Sequence, residues 1–310
     1  MKIKQLLFFK RTAELEHMTK AAEDLSVSEP YLSKTIAALE KEIDAKLFDR
    51  VGRGIKLNPS GRVFYERLMS IFNLYGDTVK EIRNISYSQK NRLTLVTNAG
   101  LYMPGLLKLI MVSNPDIKIR MLSAPMRSII TMLQNGEVDF AICSPPIKEN
   151  VELISEILRY EPGVIIFPEG HRLKNRSGIM LEEVKDETFI TAAPGYGTRE
   201  AFDAYFQKLD VSPPVVIETV DTASVLRYVE YGLGIAAVSE SAVLQDPVFR
   251  NSYSIVGDGT SGGEVALTWR KKQYMNETGE HFIEQTRKYF AGLEAFVAEN
   301  KTEKHNNISW

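Results

Sequence analysis

The chain has 310 residues, of which 44% are hydrophobic and 25% charged, and this length predicts two or three compact units with apolar cores. Its one cysteine, Cys143, excludes an intramolecular disulfide, and four scattered histidines lack metal-site spacing, so we expect neither a metal nor a cofactor. The first ten residues are too poor in apolar side chains for an export signal or a membrane span, which predicts a cytoplasmic protein without a membrane partner.

The charge of the chain is distributed unevenly. The formal net charge is −2, whereas a nucleic-acid-binding surface is normally basic, because its cations displace counterions from phosphate. Residues 1–90, however, hold 16 Lys and Arg against 12 Asp and Glu, while the remaining 220 residues hold 22 against 28. A nucleic-acid contact is therefore expected near the N-terminus.

Near the N-terminus, apolar residues recur at helical spacing, stop over 17–19 and then resume. This pattern predicts a helix, a break and a short second helix, for which Thr19 is the expected N-cap. A third helix should begin near Ser28, with Pro30 in its first turn, where the missing N–H costs nothing. A helix-turn-helix and an ordinary corner of a helical bundle explain this pattern equally well.

The third helix has two faces of different character. Its buried stripe is Leu32, Ile36, Leu39 and Ile43, at steps of 4, 3 and 4. The opposite face carries short or cationic side chains that fit a major groove about 12 Å wide: Glu29, Ser33, Lys34, Ala37 and Lys41. A short hairpin at 51–57 follows, whose tip places two glycines around Arg53, and this cationic tip favours a winged helix-turn-helix over a bundle corner.

From Asn58-Pro59 onward, the sequence predicts a long helix with an a/d heptad seam, roughly 40 Å long at 1.5 Å per residue. The seam consists of Phe64, Leu68, Ile71, Tyr75, Thr78, Ile82 and Ile85. Burial against its own domain is the alternative, but a seam of this length favours pairing with a second copy. A two-fold dimer would place two recognition helices on successive half-sites of one DNA duplex.

Four segments of the N-terminal region, taken in order, resemble the LysR-type transcriptional regulators: Ala21–Leu25, Val27–Lys34, Leu39-Glu40 and Leu47–Arg50. The resemblance implies a DNA-binding domain over 1–58, a linker and dimerisation helix over 59–87 and a hinge over 88–91. The expected DNA contacts are Thr19, Ser28, Glu29, Pro30, Tyr31, Ser33, Lys34, Arg50 and Arg53. Family members usually carry Gln where this chain has Glu29, and a carboxylate there would accept from cytosine but repel phosphate.

From residue 92 onward, strands and helices alternate, which predicts two lobes, each with a helix-covered parallel sheet. The predicted strands are 93–97, 117–122, 140–143, 164–167, 215–219, 235–238 and 264–269, and the predicted helices are 101–114, 128–135, 199–208, 223–231 and 275–299. By resemblance, this region is a two-lobed, periplasmic-binding-protein-like effector domain over 92–300. Lobe I comprises 92–162 and 265–300, lobe II comprises 163–264, and 301–310 form a polar tail expected to be frayed.

Ligands of open α/β sheets gather at the carboxyl ends of strands, near helix N-termini. By resemblance, the loops at these places face one cleft, and the expected effector contacts are Asn98, Gly100, Ser123, Ser144, Thr191, Thr198 and Thr222. Ordinary helix capping is the competing interpretation for each Ser and Thr. Polar side chains and helix N-termini favour a small organic anion as the effector.

Two other classes of protein fit the sequence less well. A solute-binding protein would explain 92–300 but would require an export signal and would leave the first 90 residues without a role. An enzyme would have to depend on Cys143 and a remote His171, since the sequence contains neither a nucleophile elbow nor a metal pattern. Cys143 ends an apolar strand, which favours a packed thiol over a redox sensor. We therefore expect a non-enzymatic, homodimeric or homotetrameric regulator that binds double-stranded promoter DNA and a small-molecule effector.

Overall fold

A computed structural model of the protein describes residues 2–52, 54–85, 91–174, 176, 178–208, 210–250, 252–256 and 262–306. The chain forms two compact units, Met1–Val79 and Lys80–Trp310, and the boundary falls inside a long helix. None of the helices within the described residues combines the length and apolar character needed to cross a membrane.

The first unit consists of helices and one antiparallel hairpin. Its elements are α1 (Ile3–Leu15), α2 (Met18–Asp24), α3 (Glu29–Glu42), β1 (Phe48–Val51), β2 (Gly54–Leu57) and the start of α4 (Pro59–Ile85). Phe9 is fully buried at its centre, with ring centroids 5.5 Å from Phe48 and 5.0 Å from Phe64. The predicted apolar stripe of α3 is confirmed at Leu32, Ile36 and Leu39, all of which are buried.

The helix starts differ in part from prediction. The prediction that Thr19 caps α2 is wrong, because α2 begins at Met18, two residues earlier than that cap requires, and the ring nitrogen Nδ1 of its N-cap His17 accepts from Lys20 N at 3.4 Å. Ser28 does occupy the N-cap position of α3, in extended backbone, although within the described residues its hydroxyl makes no capping hydrogen bond. The hydroxyl of Thr19, lying inside α2, is consequently available for a contact elsewhere.

Side-chain hydrogen bonds attach the hairpin to the helices. Glu16 Oε1 accepts from Leu57 N at 3.1 Å, and Glu40 Oε1 accepts from Leu47 N at 2.9 Å, just before β1. Asn58 Oδ1 accepts from Gly61 N at 2.8 Å and so caps α4, the helix predicted to begin here. Because these bonds satisfy backbone N–H groups at both ends of the hairpin, they fix its position beside α3.

The predicted seam of α4 is divided between two environments. Phe64 and Leu68 pack into the core of the first unit, so the prediction of one continuous pairing seam is wrong for this part. The physical reason is that these side chains cover Phe9 of their own domain. Farther along, Ile71 (57% exposed), Tyr75 (71%) and Ile82 (56%) face solvent together with Leu74, Thr78 and Glu81. The side chain of Ile85 lies outside the described residues.

The second unit contains two lobes joined by long strands. Its elements begin with β3 (Arg92–Thr97), α5 (Met103–Ser113), β4 (Lys118–Ser123), α6 (Met126–Gln134), β5 (Phe140–Cys143) and β6 (Leu153–Ile166). They continue with β7 (Gly178–Ile179), β8 (Phe189–Ala192), α7 (Gly197–Lys208), β9 (Val215–Thr219), α8 (Thr222–Glu230), β10 (Ala236–Ser239), α9 (Glu240–Leu244), β11 (Tyr253–Val256), β12 (Gly262–Arg270) and α10 (Glu277–Asn306).

The main sheet runs in the order β4-β3-β5-β12-β6-β11-β7, with β10 beside β6, and β8 and β9 form a separate parallel pair. The strands β3, β4 and β5 are parallel, as predicted for lobe I. In lobe II the pairs β8–β9 and β7–β11 are also parallel, but the prediction of purely parallel sheets is wrong, because β12 runs antiparallel to both β5 and β6, and β10 and β11 run antiparallel to β6. The paired strands β6 and β12 are the crossovers between the lobes.

Several elements were absent from the sequence prediction. The predicted strand at 164–167 is the end of β6, which begins at Leu153, and β8, β11 and α9 were not predicted. Helix α10 extends to Asn306, beyond its predicted end at 299 and into the segment expected to be frayed. Each lobe has two apolar clusters among the described residues, including one around Met103, Phe140 and Phe282 in lobe I and one around Phe189 and Phe206 in lobe II.

Candidate functional site

The outer face of α3 presents the side chains expected to contact DNA. Ser33 and Lys34 are exposed, on the side of the helix opposite Leu32 and Ile36. Glu29, Pro30 and Tyr31 are exposed in its first turn, Ser28 precedes them, and Arg50 is exposed on β1. Arg53, expected at the wing tip, lies outside the described residues. Apart from Arg53, all of the expected DNA contacts are exposed on the first unit.

The tip of α3 is held by side-chain contacts. Thr19 Oγ1 donates to Glu29 Oε2 at 2.7 Å, so α2 orients the carboxylate that departs from the family's usual Gln. The ring of Tyr31 meets the ring of Phe8 edge to face at 6.0 Å between centroids, and Lys4 Nζ lies 5.2 Å from the Tyr31 centroid. Both contacts fix their side chains before any DNA binds, which lowers the entropic cost of recognition.

An ion pair joins α1 to α2. Arg11 Nε lies 2.6 Å from Asp24 Oδ2, and a second guanidinium nitrogen donates to Oδ1 at 3.0 Å. The guanidinium hydrogen bonds hold the pKa of Asp24 below its ordinary value. This bidentate geometry fixes the angle between the two helices that precede the recognition helix.

In the second unit, Asn98 connects the two lobes. It follows β3, is 3% exposed, and its Nδ2 donates to Ser144 O at 2.9 Å and to Gly195 O at 3.2 Å. Its Oδ1 accepts from Ser144 N at 3.0 Å, and its backbone carbonyl accepts from Gly197 N at 3.3 Å. Since Ser144 belongs to lobe I and Gly195 and Gly197 belong to lobe II, Asn98 forms a hydrogen-bonded latch between the lobes.

A cavity of about 90 Å³ lies beside this latch, with walls from both lobes. Lobe I contributes the loop after β3 and the loop after β5, and lobe II contributes α7 and β10. The crossover strands β6 and β12 form the remaining wall, with Pro162 and Gly262 at the passage between lobes. Most of the lining is apolar, and Glu161 is the one charged side chain among its described members.

Glu161 belongs to a cluster of buried polar side chains. Its Oε2 accepts from Ser241 Oγ at 2.8 Å, and its Oε1 lies 2.7 Å from Arg159 Nε in an ion pair. Burial raises the pKa of Glu161, while Arg159 and Ser241 act in the opposite direction. The neighbouring hydroxyls of Tyr102 and Tyr289 have raised pKa values, chiefly through burial and also through the nearby carboxylate. Both tyrosines therefore remain neutral at physiological pH.

The structure brings together only part of the predicted effector set. Asn98 and Ser144 line the cavity, whereas Gly100 and Ser123 are exposed and Thr191 is buried within β8, all three outside the described lining. Thr198 and Thr222 occupy the first turns of α7 and α8, and their side chains lie outside the described residues. Of the seven residues predicted from strand ends, the structure thus brings Asn98 and Ser144 to one cavity, and the assignment of these residues to an effector stays a prediction.

Sequence reasoning did not identify Tyr102, Arg159 or Glu161. A signal for the last two was present, because two charged residues of opposite sign stand two positions apart, which is the spacing of one face of a strand. The segment 153–163 was not recognised as a strand, however, so this pairing had no structural context.

Cys143 is fully buried, and its Sγ lies 3.5 Å from Thr268 Oγ1. Burial raises the pKa of Cys143 to about 11, so the unreactive thiol predominates at neutral pH, as predicted. His171 instead stacks on Phe167, with 4.6 Å between centroids, and its Nε2 lies 3.4 Å from Glu187. The two residues that an enzyme would have needed thus have separate partners.

The fold and the two sites define a DNA-binding regulator whose helix-turn-helix is followed by a two-lobed ligand-binding domain. Residues 3–62 match the bacterial regulatory helix-turn-helix protein of the lysR family, and residues 88–291 match the LysR substrate binding domain. The chain belongs to the LysR family of transcriptional regulators. Members of this family bind DNA and small-molecule effectors and form oligomers.

Named relatives cover most of the chain. The uncharacterized HTH-type regulator YybE of Bacillus subtilis is 27% identical over 94% of this chain and 100% of its own length. The RuBisCO operon transcriptional regulator of Allochromatium vinosum is 28% identical over 76% of this chain and 79% of its own.

Two solved structures have the same fold. A hydrogen-peroxide-bound mutant of Corynebacterium glutamicum OxyR has a TM-score of 0.58 at 21% identity, covering 97% of this chain and 96% of its own. Full-length CbnR complexed with its target DNA has a TM-score of 0.52 at 19% identity, covering 94% of this chain and 100% of its own.

Replacing Asn98 with Ala will weaken the latch between the lobes. The substitution leaves the half-buried carbonyl of Ser144 without its side-chain donor and removes one of the two donors to Gly195 O, so we expect the free energy of unfolding to fall by about 1–3 kcal/mol. Chemical denaturation measures the change. The control is Asn135→Ala at the end of α6, which should lower the free energy of unfolding by under about 0.5 kcal/mol. Equal losses of unfolding free energy in the two variants would contradict the role of Asn98 in joining the lobes.

Proposed function

We propose that the outer face of α3 and the hairpin bind operator DNA, and that a small molecule in the inter-lobe cavity alters this binding. The observation that carries the first part is the contrast between the two sides of α3. The inner side is buried in the core, whereas the outer side exposes short and cationic side chains beside a hairpin fixed by Glu16 and Glu40. An α-helix with such a face fits the major groove.

A gel shift with the DNA that flanks the protein's own gene tests this proposal. We expect a sequence-selective complex at moderate salt, since specific affinities exceed non-specific ones by at least about a thousandfold. Failure to discriminate this DNA from an unrelated duplex of equal length would refute it.

Each part of the surface has a distinct proposed role. Ser33 and Lys34 face base edges or the adjacent phosphates, Glu29 reads a base at the tip, and Arg50 contacts the backbone near the wing. Tyr31, held against Phe8 and Lys4, supports the position of the tip. Thr19 acts through Glu29, while Ser28 and Pro30 form the turn that enters the groove.

The exposed part of α4 is proposed to pair with α4 of a second copy. Ile71, Leu74, Tyr75 and Ile82 leave an apolar stripe in solvent, in which Leu74 and Tyr75 follow Ile71 by three and four residues and Ile82 follows Tyr75 by seven, as suits helix pairing. A symmetric dimer presents two copies of α3 to two half-sites, which gives a near-palindromic operator. We propose that the protein acts in the cytoplasm as a regulator and has no enzymatic activity.

Lys34→Ala should weaken operator binding by about 1–3 kcal/mol, because it removes a cation from the outer face of α3 without touching the core. Fluorescence anisotropy measured against salt concentration gives both the affinity and the number of phosphate contacts. The matched control is Lys108→Ala on α5, also exposed, which should leave affinity unchanged. A drop in melting temperature with unaltered DNA affinity would show that Lys34 stabilises the fold and does not contact DNA.

Ile71→Asp should convert the dimer to a monomer, since it places a charge in the apolar stripe of α4. Light scattering coupled to size exclusion measures the mass, and operator binding should fall with it. Ile71→Leu retains an apolar side chain of similar volume and should remain dimeric. A dimer unchanged by Asp would show that this stripe is not the interface.

Glu29→Gln should change which base the tip of α3 prefers. A carboxylate accepts from the exocyclic amine of cytosine, whereas Gln pairs with adenine, and each such contact discriminates by about 1–3 kcal/mol. Selection from randomised DNA, followed by sequencing, reports the preference. We expect Thr19→Val to weaken the base preference, because it removes the hydrogen bond that orients the Glu29 carboxylate. Glu42→Gln, at the far end of α3, should leave the base preference intact. Identical selected sequences for Glu29→Gln and the parent would contradict this assignment.

A further inference from the structure

The inter-lobe cavity has no cation in its described lining. Its one charged member is Glu161, and its larger surfaces come from Leu101, Val164, Phe202, Phe206 and Val238. An organic anion, the ligand expected from the sequence, would lose its hydration on entry and find no Lys or Arg among these residues. The lining therefore differs from the anion site that the strand ends suggested.

Three backbone N–H groups near the N-terminus of α7 and in the loop after β5 already have partners in the protein. Gly197, the first residue of α7, lines the cavity, but its N–H donates to Asn98 O at 3.3 Å. Arg199 N donates to Tyr196 O at 2.9 Å, and Ser144 N donates to Asn98 Oδ1 at 3.0 Å. These three backbone donors are already used within the protein, and among the described lining an anion would gain contacts to neutral hydroxyls such as Ser144 and Ser239.

Glu161 offers a specific polar contact instead. It is 4% exposed, and Ser241 donates to its Oε2. Its Oε1 is fully buried 2.7 Å from Arg159 Nε and lacks a hydrogen bond within the described residues, so the carboxyl group must turn toward the cavity to accept from a ligand. Arg159, 8% exposed and outside the lining, already balances the charge of Glu161. A cationic ligand would therefore introduce an uncompensated charge, whereas a neutral donor would not.

We propose that the inter-lobe cavity binds an uncharged, largely apolar small molecule that donates one hydrogen bond to Glu161. This inference rests on the proposed function in assigning the cavity to the effector. It replaces the organic anion with a class such as primary amides and alcohols, whose apolar part contacts Phe202 and Phe206 while the polar end meets Glu161. Specificity follows because a buried acceptor rejects ligands that cannot donate to it.

Calorimetric titration of the full-length protein tests the ligand class. The probes are straight-chain primary amides and alcohols of three to eight carbons, each compared with the carboxylate and the amine of equal chain length. We expect at least one amide or alcohol to bind saturably, and its carboxylate and amine to bind at least tenfold more weakly. Equal or tighter binding of a carboxylate, or failure of every amide and alcohol to bind, would overturn the proposal.

The substitution Glu161→Gln tests whether Glu161 determines the preference for an uncharged ligand. Gln keeps the size and one acceptor but adds a donor, so the preference for an amide over its carboxylate should fall at least fivefold. Glu156→Gln, on the same strand but paired with Arg287 away from the cavity, should leave the preference unchanged. If Glu161→Gln does not fold by circular dichroism, the comparison of probes on the parent protein decides alone. An unaltered preference in a folded Glu161→Gln protein would refute the role of Glu161.

Gel shifts with the same probes separate this inference from the proposed function. An amide that binds in calorimetry but leaves DNA binding unchanged supports the ligand class and contradicts the effector role. A carboxylate that binds tightly and alters DNA binding supports the effector role and overturns the ligand class. An amide that does both supports the two together.

Discussion

The antiparallel pairing of β6 with β12 is the interaction on which the second unit depends. The strands pair from Leu153 with Arg270 to Pro162 with Gly262, and β6 then continues beside β10 and β11. Both lobes are therefore built on one backbone ladder, and the cavity forms where that ladder passes from one lobe to the other. Any change in the angle between the lobes must be absorbed at this passage, because packed sheets on either side resist deformation.

A bulge in the same ladder determines which side chains line the cavity. Val265 pairs with Arg159 but Ala266 pairs with Ile157, so Leu158 is an extra residue on β6. An extra residue exchanges the two faces of a strand. Ile157 is accordingly exposed while Arg159 and Glu161 are buried, although all three stand at odd positions. The bulge thus places an ion pair inside the domain, where the two charges must compensate each other.

The parts of the protein that follow regular periodicity were predictable from the sequence. The stripe of α3, the glycine-tipped hairpin and the Asn58 start of α4 depend on local residue patterns, and Asn98 and Ser144 follow from the position of strand ends. Glu161 was not predictable, because its burial depends on a bulge and on a strand much later in the chain. The division of the α4 seam was missed for a similar reason, since Phe64 and Leu68 belong to a core built from residues much earlier in the chain, including Phe9.

The latch and the cavity both depend on how the two lobes are arranged. The hydrogen bonds of Asn98 to Ser144 O and Gly195 O join the lobes through groups of the protein itself, so they favour the arrangement in which these bonds form. A ligand can shift this equilibrium only by its difference in affinity for the two arrangements. Tyr102 and Glu161 from one lobe and Phe202 and Phe206 from the other line the same cavity, so the ligand proposed for this cavity would contact both lobes. If a ligand of this cavity and operator DNA favoured the same lobe arrangement, each would raise the affinity for the other by the same factor.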